Sequence, residues 1–267
     1  MPSEQSPQQP IFEIKHANVW RGDTLALRDF SLSLTHGESV AILGPNGAGK
    51  STFLKLLTGE VRPEANPLSK CRLFGEELWS LMEIRHRIGV VMPEEVSRFH
   101  PLEMARDAVL SSLRGAYGRT RDMRFSAQEK QRAVESMEQM GVADLAGREF
   151  GTLSSGERRR ILIARALVHQ PEVLVLDEPS TALDFSAALQ LGSTLRSLIR
   201  GGRDLVLVTH HPAEIPPEIS RVILLKNGRI FTEGAKKNVL TTSILTELFA
   251  TPLKVTWSGG WCQVSQV

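Results

Sequence analysis

The chain carries almost no excess charge: 32 Lys and Arg stand against 30 Asp and Glu, a formal +2 over 267 residues with histidine neutral. A protein that holds nucleic acid by bulk charge needs a much larger basic surplus, so no nucleic-acid partner is expected. Cysteine is scarce too. Cys71 and Cys262 lie far apart in no CxxC pattern, and reduced thiols of a cytosolic protein are the expectation. Long apolar runs are missing: no stretch approaches the ~18 residues of a membrane-spanning helix. Any membrane role is therefore expected to pass through a partner. The first residues, MPSEQSPQQP, have no apolar h-region and read as a flexible tail (1–10), not a signal peptide. There is no internal repeat and no heptad run, which excludes a long coiled coil. Aromatics reach only 6%, yet 41% hydrophobic and 23% charged residues make an ordinary globular composition, too apolar for disorder.

Short apolar runs alternate with longer amphipathic ones, which predicts an α/β architecture. Residues 11–43 read as β-rich, with Arg21-Gly22-Asp23 as turn chemistry and Val40-Ala41-Ile42-Leu43 as a strand buried on both faces. A helix is expected over Ser51–Thr58, stopped by Gly59. The stretch of about 94–155 reads as a helical subdomain inserted into a single domain spanning 11–267, with Ser126–Glu129 as a capping box and Gly141 closing a helix. Strand-like runs return at Val173–Leu176, Leu205–Val208 and Arg221–Leu225. Asn227-Gly228 marks a hairpin turn, a helix is expected near Thr242–Phe249, and a last hairpin around Ser258–Gly260.

Gly44-Pro45-Asn46-Gly47-Ala48-Gly49-Lys50-Ser51 fits GxxxxGK[ST] between a buried strand and a helix, with Thr52 next in the chain. A polyphosphate needs several backbone N–H groups converging on it, which glycines at positive φ permit. The helix N-terminus adds its partial positive charge. Lys50 is expected to reach the β- and γ-phosphates and the Ser51 hydroxyl to ligate Mg²⁺. Asp177 and Glu178 end an apolar strand, a costly place for two carboxylates unless they meet a cation or a proton donor. Asp177 fits a metal ligand acting through water, and Glu178 a general base on the attacking water. Ser154-Ser155-Gly156-Glu157 opens a helix as a capping box and makes a second anion-type site.

This series resembles the nucleotide-binding subunit of an ATP-binding cassette (ABC) transporter, over nearly the whole chain. Leu153–Glu157 (LSSGE) is similar to the LSGGQ signature, and Asp177–Asp184 to the Walker B and D-loop run. Val208-Thr209-His210 is similar to the switch histidine, and Trp20, 24 residues before Gly44, to an aromatic that stacks on adenine. The resemblance implies a P-loop NTPase, RecA-like core with an N-terminal antiparallel β subdomain and an inserted helical subdomain. It implies ATP and Mg²⁺ as cofactors and a head-to-tail pair of cassettes. Ser154, Ser155, Gly156 and Glu157 of one copy would then meet the γ-phosphate of the other's nucleotide. Lys50, Glu178 and His210 would be catalytic, Asp184 would serve the D-loop, and His211 would face away.

The pattern breaks in one place. The family carries a glutamine after the strand matching Arg87–Met92, whereas Pro93-Glu94-Glu95 stands here with no glutamine within ten residues. Glu94 or Glu95 takes the metal-ligand role, or the contact is absent and turnover is slower. The resemblance implies an ATP hydrolase peripheral on the cytoplasmic face, a homodimer driving solute transport through integral-membrane permease subunits. The tail after Gly234 looks most like subunits serving metal chelates, molybdate or related small solutes. The competing reading is a soluble ABC-type ATPase, or a nucleotide-binding regulator, not coupled to transport.

Overall fold

A computed structural model describes residues 10–266. The expected tail at 1–9 lies outside the described residues, and Pro10 already opens a strand. The chain divides into two compact units: residues up to Arg85 together with those from Asp204 onward, and His86–Arg203.

In the first unit, β1 (Pro10–Arg21) pairs antiparallel with β2 (Thr24–Thr35) and with β4 (Lys70–Leu73). Period-two alternation sets the inner face of β2. Leu32 and Leu34 are buried, while Ser31 and Ser33 point out. The inner face rests on α1 (Lys50–Leu57), where Phe53 packs edge-on to Phe12 and tilted to Phe30, each at 5.8 Å between centroids. β3 (Val40–Leu43) lies between β7 (Asp204–Thr209) and β8 (Arg221–Lys226), parallel to both and buried at every residue. That double coverage is why it reads as an unbroken apolar run. β9 (Arg229–Ala235) returns antiparallel to β8 through Asn227 and Gly228, at φ 51° and 75°, the twist a two-residue hairpin favours. The hairpin tip is tied inward: Gly228 N–H donates to Ala48 O at 3.0 Å, and Arg28 N–H donates to Gly228 O at 2.8 Å. Helices α7 (Lys236–Val239) and α8 (Thr242–Phe249) precede a final hairpin of β10 (Leu253–Ser258) and β11 (Trp261–Gln266). Both cysteines are free thiols, and burial pushes each up to about 11.

In the second unit, β5 (Ile88–Val91) pairs parallel with β6 (Val173–Asp177). Helices α3 (Ala105–Ser111) and α4 (Ala127–Gln139) pack on α5 (Ser155–Leu167), and α6 (Phe185–Arg200) follows β6. The Ser126–Glu129 box is formed at 3.1 and 2.7 Å. Arg114 grips the same Glu129 carboxylate and holds it down to about 2. Gly141 takes φ 61° just past α4. This unit is wider than the helical stretch of about 94–155: it also holds β5, β6 and α6.

Candidate functional site

In the first unit, the chain leaves the buried end of β3 and enters α1 through Gly44–Gly49. The N-cap residue Gly49 sits at φ 105°, and no side chain caps the helix. The first-turn N–H groups of a helix have no intrahelical acceptor, and at α1 neither a capping side chain nor an acidic residue is present to meet them. That is the electrostatic requirement of an anion seat. A Cβ on Gly49 would lie 2.8 Å from Leu27 Cδ2 and 3.1 Å from Ala26 O, so the position demands glycine for space as well as for φ. The buried Lys50 folds back over the loop, its Nζ donating to Gly44 O at 2.8 Å and Pro45 O at 3.2 Å. Asn46, Gly47 and Ser51 are exposed, while Ala48 and Thr52 are buried beneath them.

Trp20, near the end of β1, leaves 47% of its surface exposed, and its Nε1–H donates to Glu64 at 3.1 Å. The indole edge is thus held while the ring remains available for stacking. His210 follows β7 and is half-buried. Its ring lies 3.8 Å, centroid to centroid, from that of His211, which is exposed. The cause is local. His211 N–H donates to Thr209 Oγ1, which donates to Glu214 at 2.6 Å, and this tight turn brings the adjacent rings together.

In the second unit, Asp177 ends β6 and Glu178 follows it, both half-buried. Glu178 adopts φ 42° and Ala182 φ 63°, left-handed backbone that non-glycine residues rarely take. Each such residue stores about 1–3 kcal/mol, which the surrounding fold must offset. Thr181 Oγ1 reaches the Glu178 carboxylate at 3.5 Å, and Asp184 caps α6 by accepting from Ala187 N–H at 2.8 Å.

The signature segment forms its reciprocal box. Glu157 N–H donates to Ser154 Oγ at 3.2 Å, and Ser154 N–H donates to Glu157 Oε2 at 2.7 Å. These bonds, with Arg148 and Arg160 nearby, hold the Glu157 carboxyl below its ordinary value. The Ser154 hydroxyl accepts from Glu157 N–H and also lies against the Glu157 carboxylate. Gly156 has no room for a side chain: a Cβ would stand 2.7 Å from Ala187 Cβ at the start of α6.

At the Pro93–Arg98 turn the structure separates two residues the sequence left equivalent. Glu95 is committed, accepting Met92 N–H at 3.0 Å and the Tyr117 hydroxyl at 2.8 Å. The Glu94 side chain is exposed. Sequence reasoning missed Tyr117 altogether, since nothing local links it to a residue 22 positions away.

The ABC transporter family model matches residues 27–181, more than half of the chain. This chain belongs to the ABC transporter family. The ABC transporter ATP-binding protein YlmA of Bacillus subtilis is 33% identical over 93% of the chain and 94% of its own length. The cobalt import ATP-binding protein CbiO of Rhodobacter capsulatus is 35% identical over 82% of the chain and 76% of its own length. A solved dimeric ATP-binding cassette, in a post-hydrolysis state bound to ADP and Pi, superposes with a TM-score of 0.69 at 26% identity. The match covers 84% of this chain and 98% of that one. The chain is an ABC transporter ATP-binding subunit, an ATPase of mixed α/β fold. Among the described residues no helix is long and apolar enough to cross a membrane.

Proposed function

We propose that this cassette binds Mg·ATP, hydrolyses it between two copies arranged head to tail, and so drives solute transport through separate integral-membrane permease subunits from the cytoplasmic face. The observation that carries the reading is the uncapped, glycine-built N-terminus of α1, with Lys50 folded over it. The loop residues Gly44–Thr52 take the triphosphate, Trp20 stacks on the adenine, and His210 supports the attacking water. Lys50 exchanges its two carbonyl acceptors for phosphate oxygens when nucleotide arrives.

The residues present fit magnesium, a hard cation that takes oxygen ligands. Ser51 offers an exposed hydroxyl, Asp177 a carboxylate at a strand tip and Glu94 an exposed carboxylate. Bound there, the ion would neutralise charge on the transferring phosphoryl group. Glu178 serves as general base. The second copy offers the Ser154 hydroxyl and the N–H groups of Ser155 and Gly156, while the solved dimeric cassette supports the two-copy arrangement. Only the triphosphate completes both halves, so hydrolysis removes the contact favouring the closed pair and shifts its population.

Sedimentation of Glu178→Gln with saturating Mg·ATP tests this: a dimer is expected, returning to monomer with ADP. A species that stays monomeric under those conditions overturns the proposal. Co-purification from detergent-solubilised membranes is expected to bring down a permease, and phosphate release by wild type is expected to require Mg²⁺.

A further inference from the structure

The strand pair that carries Trp20 is also the one that crowds the phosphate loop, and both belong to the first unit. Trp20 pairs with Leu25 and Val19 with Leu27, so Ala26 is the extra residue of a bulge between the two pairs. The bulge aims Ala26 O at the loop. A Cβ on Gly49 would stand 3.1 Å from that oxygen, and one on Gly228 2.5 Å. Trp20 therefore lies across one strand pair from the residues that touch Gly49. Val19 is buried on the core side of β1, and the indole takes the outer side, nearly half exposed.

An indole at an exposed strand end samples several rotamers unless its edge is held. Here Glu64 Oε2 accepts the Trp20 Nε1–H at 3.1 Å, from 44 residues away in the chain. Glu64 is itself placed: its N–H donates to Asn18 O at 2.8 Å, and Asn18 Oδ1 accepts Asp29 N–H at 2.9 Å. The segment bearing Glu64 leaves the far end of α1, where the N–H groups of Glu60 and Val61 donate to Lys55 O at 2.8 and 3.1 Å. The helix that opens at the phosphate loop thus also anchors the chain that holds the indole.

We propose that Glu64 is a positioning residue for the nucleotide: by holding the Trp20 Nε1–H, it keeps the indole face turned to the base while the loop takes the phosphates. This rests on the reading of Trp20 as the adenine platform. The restraint acts on the ring, and every base has a π-face. It therefore favours nucleotides over a bare polyphosphate without choosing among bases. Its size has a ceiling. Three staggered χ1 wells and two of χ2 give an unheld indole about six orientations. If one of them accepts the base, losing the restraint lowers affinity by at most about sixfold.

The test is calorimetric binding of ADP, GDP and inorganic pyrophosphate to the full chain with magnesium; none of the three carries a γ-phosphate to transfer. Trp20→Ala is expected to weaken both nucleotides by about fivefold or more and to leave pyrophosphate unchanged. Glu64→Ala is expected to weaken both nucleotides about three- to sixfold, again sparing pyrophosphate, and to raise KM for ATP by the same factor with kcat unchanged. Glu64→Gln, which keeps an acceptor oxygen, should bind as wild type does. In the Trp20→Phe background, where a ring remains but its N–H is gone, Glu64→Ala should cost nothing further. Nucleotide binding unchanged in Glu64→Ala, a matching loss of pyrophosphate, a fall in kcat, or a cost that persists in Trp20→Phe would each overturn the inference. Any of these, with ADP weakened by Trp20→Ala, leaves the adenine platform standing. Trp20→Ala that binds ADP as wild type does removes the platform and this inference together.

Discussion

Two helix N-termini in this molecule solve the same electrostatic problem in opposite ways. α1 is entered through glycines, with Gly49 at φ 105° and no side chain on its first N–H groups. α5 is entered through Ser154 and Glu157, which satisfy each other's backbone donors. The first end is unfinished until an anion arrives. The second is stable alone and offers what the box leaves over. On the proposed reading, the contrast predicts that a phosphate is bound strongly by the first and only in company by the second. An orphan donor gains a full partner from the ligand, whereas a capped one gains little.

The catalytic arrangement gives the largest expected effect. Glu178→Gln should lower turnover by about 10²–10⁴-fold while ATP binding stays within a few-fold, read by phosphate release and by equilibrium binding. Equal rates would remove Glu178 as base and leave a nucleotide binder. Next, Gly49→Ala should abolish detectable ATP binding and cost about 1–2 kcal/mol of stability, because a side chain at that φ also meets Leu27 Cδ2.

Ser154→Ala sharpens the comparison from the other end. It should cost about 1 kcal/mol, a fall in Tm of roughly 2–4 °C, with ATP affinity of the single subunit intact and nucleotide-dependent dimerisation weakened. If instead it lost ATP binding by the monomer, the division of labour between the two ends would be wrong. The smallest effect lies in the pH dependence of the α5 cap. The Glu157 carboxyl is held below its ordinary value of 4.5, chiefly by the Ser154 N–H. A depressed carboxyl contributes stability above its unfolded value and loses it as pH falls through the folded one. The stability gap between wild type and Glu157→Gln should therefore be full near neutrality and close below pH 4.5, as followed by urea melts. A gap that widened in acid would contradict the box.

Much of this was legible in the chain. The phosphate loop is a run of eight residues between a buried strand and a helix, and both capping boxes are spaced three apart, so the interactions lie between near neighbours. The hairpin at Asn227-Gly228 was readable for the same reason, since few residue pairs accept two consecutive positive φ angles. Other features had no local sign. Glu178 and Ala182 occupy left-handed backbone although neither residue type favours it. Arg159 did carry a signal that went unused: Gly156, Arg159 and Ile163 fall on one buried helical stripe, so a charge stands at an apolar position.

The sequence by itself determined the elements and the chemistry each can carry, because caps, turns and the phosphate loop are made by residues within a few positions of one another. Tertiary structure decided the choice among equivalents. Glu95 rather than Glu94 is taken up by Tyr117, and Arg159 rather than Arg158 or Arg160 has a buried nitrogen without a hydrogen-bond partner. Long side chains of the same type are interchangeable in a sequence pattern. What tells them apart is the burial and the partners that distant parts of the chain bring to each one.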